Sequence, residues 1–236
     1  SINGQPQLNW RSHNLAPADK LKIGPIKRGT RIYLAVRGGF NIAKSFNSTA
    51  TVTRERIGGL AGESLKNNDF LPVTACRDEP TFYLPESKIP PIFEIRKLRL
   101  VSGWQYASLP KPLKIALFNR QFLISNDSNR MGIRLQGSVM EGSVPNSHIP
   151  RQMISEGIIT GALQIPPDGS PIIMMNDHQT IGGYAKAGTI LSCDLWKLAQ
   201  LPAGSLVSFT PVSVIKAQSL KRQALREFES TLPARA

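Results

Sequence analysis

The sequence predicts a mainly β protein made of short strands and tight turns. Glycine and proline, 19 and 18 of 236 residues, recur at short intervals through residues 1 to 215. The runs between them are apolar or alternating and of strand length. Few stretches lack both residues for long enough to form a helix. Many short strands at this spacing point to a barrel or a sandwich.

Taken in order, the expected strands are Arg31-Ile32-Tyr33-Leu34-Ala35-Val36, Arg96 to Leu100, Leu113-Lys114-Ile115-Ala116-Leu117-Phe118, Pro171-Ile172-Ile173-Met174-Met175 and Leu206-Val207-Ser208-Phe209-Thr210. In the second of these, Arg96-Lys97-Leu98-Arg99 alternates with apolar residues, as on a strand edge that turns its charges outward. The clearest helix spans roughly 214 to 229, with good helix formers, no Gly or Pro, and Lys216, Lys221, Arg222 and Arg226 along a charged face. A shorter helix is expected after Asp194, which would cap Leu195-Trp196-Lys197-Leu198 and stop before Pro202. The segment Glu79 to Pro91, with Pro80, Pro85, Pro90 and Pro91, reads as an extended linker and a domain boundary.

Composition narrows the function classes. The length suits one or two domains. Lys+Arg total 29 against 16 Asp+Glu, a net charge of +13, which raises the question of nucleic acid. The basic residues are not systematically interleaved with aromatics as base-stacking surfaces require, so no nucleic-acid partner is expected. Attraction to a small anionic substrate remains open. No run approaches the roughly 20 apolar residues of a membrane helix, so no membrane partner is expected. The polar start Ser1-Ile2-Asn3-Gly4 lacks a signal-peptide core, and the expected location is cytoplasmic. Cys76 and Cys193 cannot form a disulfide scaffold, and the three histidines build no obvious metal site.

Three polar, glycine-rich clusters could carry chemistry. The first joins Arg37-Gly38-Gly39-Phe40, Asn47-Ser48-Thr49-Ala50-Thr51 and Gly58-Gly59-Leu60-Ala61-Gly62, which serve either as tight turns or as backbone donors to an anion. It contains no P-loop. The second runs from Ser125 to Leu135. On a strand there, Arg130 and Arg134 would share one face and Ile133 and Leu135 the other. The arginines would grip a carboxylate or make ordinary ion pairs with Asp127 or Glu141. The third spans Gly161 to Lys186. Pro167-Asp168-Gly169 marks a turn, so Gln164 would end one strand and residues 171 to 176 would return antiparallel to it. Asp177, Gln179 and Thr180 would then sit at a strand end before Gly182-Gly183. Asp177 and His178 read either as an acid/base set or as a structural pair, and Lys186 either as an anion holder or as a solvated side chain.

These same clusters resemble the allophanate hydrolase subunit 2 family, which includes the C component of the ATP-dependent 5-oxoprolinase, the antagonist of the Kip kinase inhibitor, and half of the urea carboxylase carboxyltransferase domain. The matching stretches are Gly29 to Gly39, Ser125 to Gly137 and Glu156 to Tyr184. The last, Glu156-Gly157-Ile158-Ile159-Thr160-Gly161-Ala162-Leu163-Gln164-Ile165-Pro166-Pro167-Asp168-Gly169 with Asp177-x-Gln179-Thr180-x-Gly182-Gly183-Tyr184, is the most specific. Members carry further residues ahead of this start, a Gly-Ser-Arg-Ser-Thr motif where Asn47 to Thr51 stands, and an arginine at Glu63.

The resemblance implies two cyclophilin-like β-barrels. Residues 1–90 would be a first barrel lacking its N-terminal part, and 91–236 a second with a C-terminal helix. It implies the C component of a heteromeric 5-oxoprolinase, which opens pyroglutamate to glutamate together with its partners; the chain would be inactive alone. ATP would serve the complex rather than a cofactor site on this chain. The implied partners are a paralogous Kip-inhibitor-like subunit and a third 5-oxoprolinase subunit. Asp177 and Gln179 are the expected catalytic residues. Arg130, Arg134, Gln164, Thr180 and Lys186 would bind the substrate, and no metal is expected. Two alternatives share the surface: a carboxyltransferase half-site using biotin, and a regulator binding a Kip-like inhibitor.

Overall fold

The computed structural model describes residues 1–74, 80–91, 97–137, 153–231 and 234–235. Cys76, Glu79, Arg96 and Glu141 lie outside them. The elements are β1 (Phe82–Tyr83), a 3-10 turn (Glu86–Lys88), β2 (Lys97–Ser102), a second 3-10 turn (Trp104–Ser108), α1 (Lys111–Asn119), β3 (Phe122–Ile124), β4 (Gly132–Gln136), β5 (Glu156–Gly157), β6 (Ala162–Ile165), β7 (Ile172–Met174), β8 (Ile181–Gly182), β9 (Ala185–Ile190), α2 (Ser192–Leu198), β10 (Leu206–Pro211), α3 (Val214–Glu229) and β11 (Ala234–Arg235). The protein is mainly β, as expected. The chain divides into two compact units: Ser1–Ile23 with Ile32–Tyr83 and Ala234–Ala236, and Gly24–Arg31 with Leu84–Pro233.

The second unit is a closed seven-stranded barrel in the order β10-β2-β9-β6-β7-β4-β3. All its pairs are antiparallel except β10 with β2, where Phe209 lies opposite Leu98. Closure removes both sheet edges. Strand alternation sends Leu98, Leu100, Ile133, Leu135, Leu163, Ile165, Ile173, Val207 and Phe209 into one core. There the Phe122 and Phe209 rings meet at 5.5 Å. Each fully buried side chain of this kind contributes about 1.5–3 kcal/mol. The segment Gly24–Arg31 belongs to this unit because Gln200, just after α2, accepts from both Thr30 N and Arg31 N at 3.1 Å.

The long helix falls where the sequence places it, at Val214–Glu229, with Ser213 accepting from Lys216 N as its N-cap. Four sequence expectations need correction. Residues 113 to 118 are helix, not strand. Pro112 sits in the first turn of α1, and Leu113, Ala116 and Leu117 form its buried face, with helical rather than alternating spacing. Residues 31 to 36 form no strand, and Tyr33 is 81% exposed. Lys97 to Arg99 lie on an interior strand of a closed barrel, not on an edge. Asp194 is not a helix cap. The helix begins earlier, at Ser192, and Asp194 turns from its first turn to Arg99.

Among the described residues, the first unit is held by the β1–β11 pair and isolated bridges such as Phe40 with Val73 and Val52 with Ile57. Its glycine-rich cluster consists of turns: Gly38 and Gly39 both take positive φ, where a side chain would be strained. Glu63 pairs with Lys66. No helix among the described residues is long and apolar enough to cross a membrane.

Candidate functional site

The barrel's alternation has a second consequence. Where Leu163, Ile165 and Ile173 face the core, their neighbours Ala162, Gln164, Ile172 and Met174 face the other way. Register then draws a row across four strands. Arg134 of β4 lies opposite Ile172 of β7, Ile172 opposite Gln164 of β6, and Gln164 opposite Lys186 of β9. Directly paired residues share a face. Three expected site residues, Arg134, Gln164 and Lys186, therefore stand in one line on the barrel's outer surface.

A two-stranded ribbon, β5 with β8, meets this row, with Glu156 opposite Gly182 and Gly157 opposite Ile181. Ile158 joins Ala162, Met174 and Ile172 in a small apolar cluster of its own. Gly182 comes against Gln164. A Cβ at Gly182 would stand 3.0 Å from Gln164 Nε2, 3.5 Å from Gln179 Nε2 and 2.5 Å from Ile158 Cδ1. Glycine is what the approach permits.

Gln164 is 1% exposed, and among the described residues its Nε2 has no hydrogen-bond partner. A buried amide donor left unpaired costs about 1–3 kcal/mol. Such a group in a polar site suits a ligand acceptor.

Lys186 is not solvated. Its Nζ donates to Glu156 Oε2 at 2.5 Å and to Gly157 O at 3.2 Å. Gln105, 4% exposed, completes the set: its Oε1 accepts from Lys186 N at 2.7 Å and its Nε2 donates to Glu156 Oε2 at 3.1 Å. The Lys186 hydrogen bond, with its charge and the Gln105 bond in support, holds the Glu156 carboxyl below its ordinary range against a smaller effect of burial.

Arg130 and Asp177 form a two-point ion pair, Nε to Oδ2 at 2.8 Å and Nη2 to Oδ1 at 3.1 Å. Asp177 N also donates to Arg130 O, so the pair closes the end of the β4–β7 ladder. Arg134 is exposed, while Ile133 and Leu135 are buried, which is the alternation expected of that strand. Its guanidinium meets no carboxylate among the described residues. Gln179 and Thr180 are exposed beside β8, and the Thr180 carbonyl accepts from Ile158 N at 2.9 Å. His178 Nδ1 donates to Gln179 O at 2.6 Å. Among the described residues no group of three or more His, Cys, Asp or Glu is placed to hold a metal.

The family model described as carboxyltransferase domain, subdomain A and B, matches residues 1–211. The chain belongs to this family. Its relatives include the C component of 5-oxoprolinase from Escherichia coli, 32% identical over 220 residues, covering 93% of this chain and 68% of the relative. Urea amidolyase of Saccharomyces cerevisiae is 27% identical over 251 residues, covering 98% of this chain and 13% of that protein. The crystal structure of the K. lactis urea amidolyase superposes with a TM-score of 0.77 at 24% identity, over 91% of this chain and 14% of that one, and shares the fold.

In this carboxyltransferase-family chain, Glu156 and Gln105 complete the polar set around Lys186, and sequence reasoning gave neither a role. Glu156 opens the most specific motif and could have been found there. Gln105, in Gly103-Trp104-Gln105-Tyr106, carries no signal in sequence. It reaches Lys186 only because β2 ends at Ser102 and leaves that amide without a strand partner.

Proposed function

We propose that this chain is one component of a heteromeric 5-oxoprolinase, and that its barrel row binds the cyclic amide. The observation that carries this reading is the buried Gln164 Nε2, which has no hydrogen-bond partner among the described residues and lies beneath Gly182, where a side chain would crowd it. A lactam carbonyl is an acceptor of the right kind, and donating to it completes the hydrogen bonding of Gln164. The 32% identity to a 5-oxoprolinase component over 93% of the chain supports the same substrate.

Arg134 stands two strand spacings from Gln164, about 10 Å between backbones. Its side chain can reach back to the carboxylate of a bound 5-oxoproline while Gln164 holds the carbonyl. Gln179 and Thr180 line the ribbon side. Asp177, fixed by Arg130, is the carboxylate that orients the attacking water or takes its proton. In the reaction, water adds to the lactam carbon, the C–N bond breaks, and the ring nitrogen leaves as the amine of glutamate. ATP hydrolysis drives this in the assembled complex, with partner subunits that include a Kip-inhibitor-like paralogue.

A second reading, a carboxyltransferase half-site, is favoured by the family's description and by the likeness to urea amidolyase. The ureido carbonyl of biotin is also an acceptor for Gln164, so these residues fit it. Biotin, when bound there, would supply the carboxyl group to be transferred.

The test is co-expression with the partner subunits, followed by an assay of ATP-dependent glutamate release from 5-oxoproline. Turnover that needs this chain and falls about tenfold or more in Gln164→Leu and Asp177→Ala supports the first reading. A stable complex without such turnover, but with biotin-dependent carboxyl transfer, replaces it with the second.

A further inference from the structure

We infer that Gln105 is a positioning residue of this site: its buried amide holds Lys186 to Glu156 and so seats the β5–β8 ribbon over Gln164. Two bonds define the role. Where β2 has left the barrel wall, Gln105 Oε1 replaces a strand carbonyl for Lys186 N at 2.7 Å. The other end of the same amide donates at 3.1 Å to Glu156 Oε2, the oxygen that Lys186 Nζ also reaches at 2.5 Å. A single side chain thus ties the barrel strand that carries Lys186 to the ribbon strand that carries Glu156. Glu156 pairs with Gly182, the residue against Gln164. The seat of the ribbon therefore sets how closely Gly182 lies over the buried Gln164 Nε2. The groups facing Glu156 are the Lys186 ammonium from β9 and the neutral Gln105 amide from the Trp104–Ser108 turn.

The amide needs both an acceptor end and a donor end. Leucine supplies neither. A glutamate supplies both only while its carboxyl is protonated; ionised, it repels Glu156. This gives a test that packing alone would not imitate.

In the full chain, NMR reads the hydrogen exchange of the Lys186 amide and the titration of the Glu156 carboxyl. Gln105→Leu should speed that exchange about tenfold or more and move the Glu156 titration upward. In Gln105→Glu, protection should be lost at neutral pH and recover as the pH falls. In the assembled complex, Gln105→Leu should raise KM for 5-oxoproline about tenfold while kcat stays within about threefold.

Unchanged exchange and unchanged Glu156 titration in Gln105→Leu would overturn the inference. Altered exchange with an unaltered KM would also overturn it, since Gln105 would then be structural only. The kinetic arm rests on the 5-oxoprolinase reading. If the wild-type complex shows no turnover, that reading fails, and the exchange and titration arm decides the role of Gln105 alone. If Gln105→Leu does not fold, the pH response of Gln105→Glu carries the test.

Discussion

The two compact units have similar turn chemistry and opposite interiors. In the second, strand alternation converges on a closed wall, and more than a dozen large apolar side chains are buried. In the first, none of the described large apolar side chains is buried; Phe46 is 92% exposed and Phe70 84%. Short apolar runs between glycines occur in both. Such runs become strands only where neighbours supply ladder partners and a common face, because an isolated pair is marginal in water.

The largest expected contrast is in hydrogen exchange. Amides of β2, β6, β7 and β9 should exchange at least about a thousandfold more slowly, relative to intrinsic rates, than those of residues 31 to 74. Equal protection in both regions would break the comparison. Next in size, Phe122→Ala should cost about 3–5 kcal/mol in chemical denaturation, because it empties a fully buried site.

The Arg99–Asp194 pair sharpens the comparison through pH. Burial alone would raise the Asp194 carboxyl, but hydrogen bonds from the Arg99 side chain and backbone, with the charges of Arg99 and Lys197, outweigh it and hold the group below its ordinary value. A depressed carboxyl contributes stability that is fully present above its unfolded pKa, about 3.9, and is lost as pH falls through its folded value. Barrel stability should therefore drop below about pH 4, and Asp194→Asn should flatten that limb while destabilising at neutral pH by about 3 kcal/mol. An unchanged acid limb in Asp194→Asn would remove the pair from the account.

Smaller effects follow at the site. Gly182→Ala places a methyl against Gln164 Nε2 and Ile158, so it should weaken ligand binding about tenfold while changing the melting temperature little if the ribbon shifts outward. Smallest of all, Phe46→Ala should leave barrel stability within about 0.5 kcal/mol.

The sequence made part of this legible. Alternation and turn signals located β7, β10 and the β6–β7 hairpin, because buried strands flanked by Gly and Pro obey local rules. Residues 113 to 118 misled because Ile115, in the middle of an apolar run, is an exposed helix position. The polar motif around Gln164 was visible, and so was the outward face of Arg134 against buried Ile133 and Leu135; Arg130, expected on that same face, lies before the strand. The ion pairs were not. Arg130 finds Asp177 at the end of the β4–β7 pairing, and Lys186 finds Glu156 where the β5–β8 ribbon meets β9, across separations of 47 and 30 residues. Local spacing cannot report pairings that only the tertiary structure creates.

The role of Gln164 is tested most directly by an isotope-edited titration of its side-chain amide with 5-oxoproline, using the chain assembled with its partner subunits. If Gln164 holds the lactam carbonyl, the Nε2 protons shift downfield saturably, with a midpoint matching the KM for glutamate release. Saturable binding of 5-oxoproline that leaves those protons unmoved would contradict it.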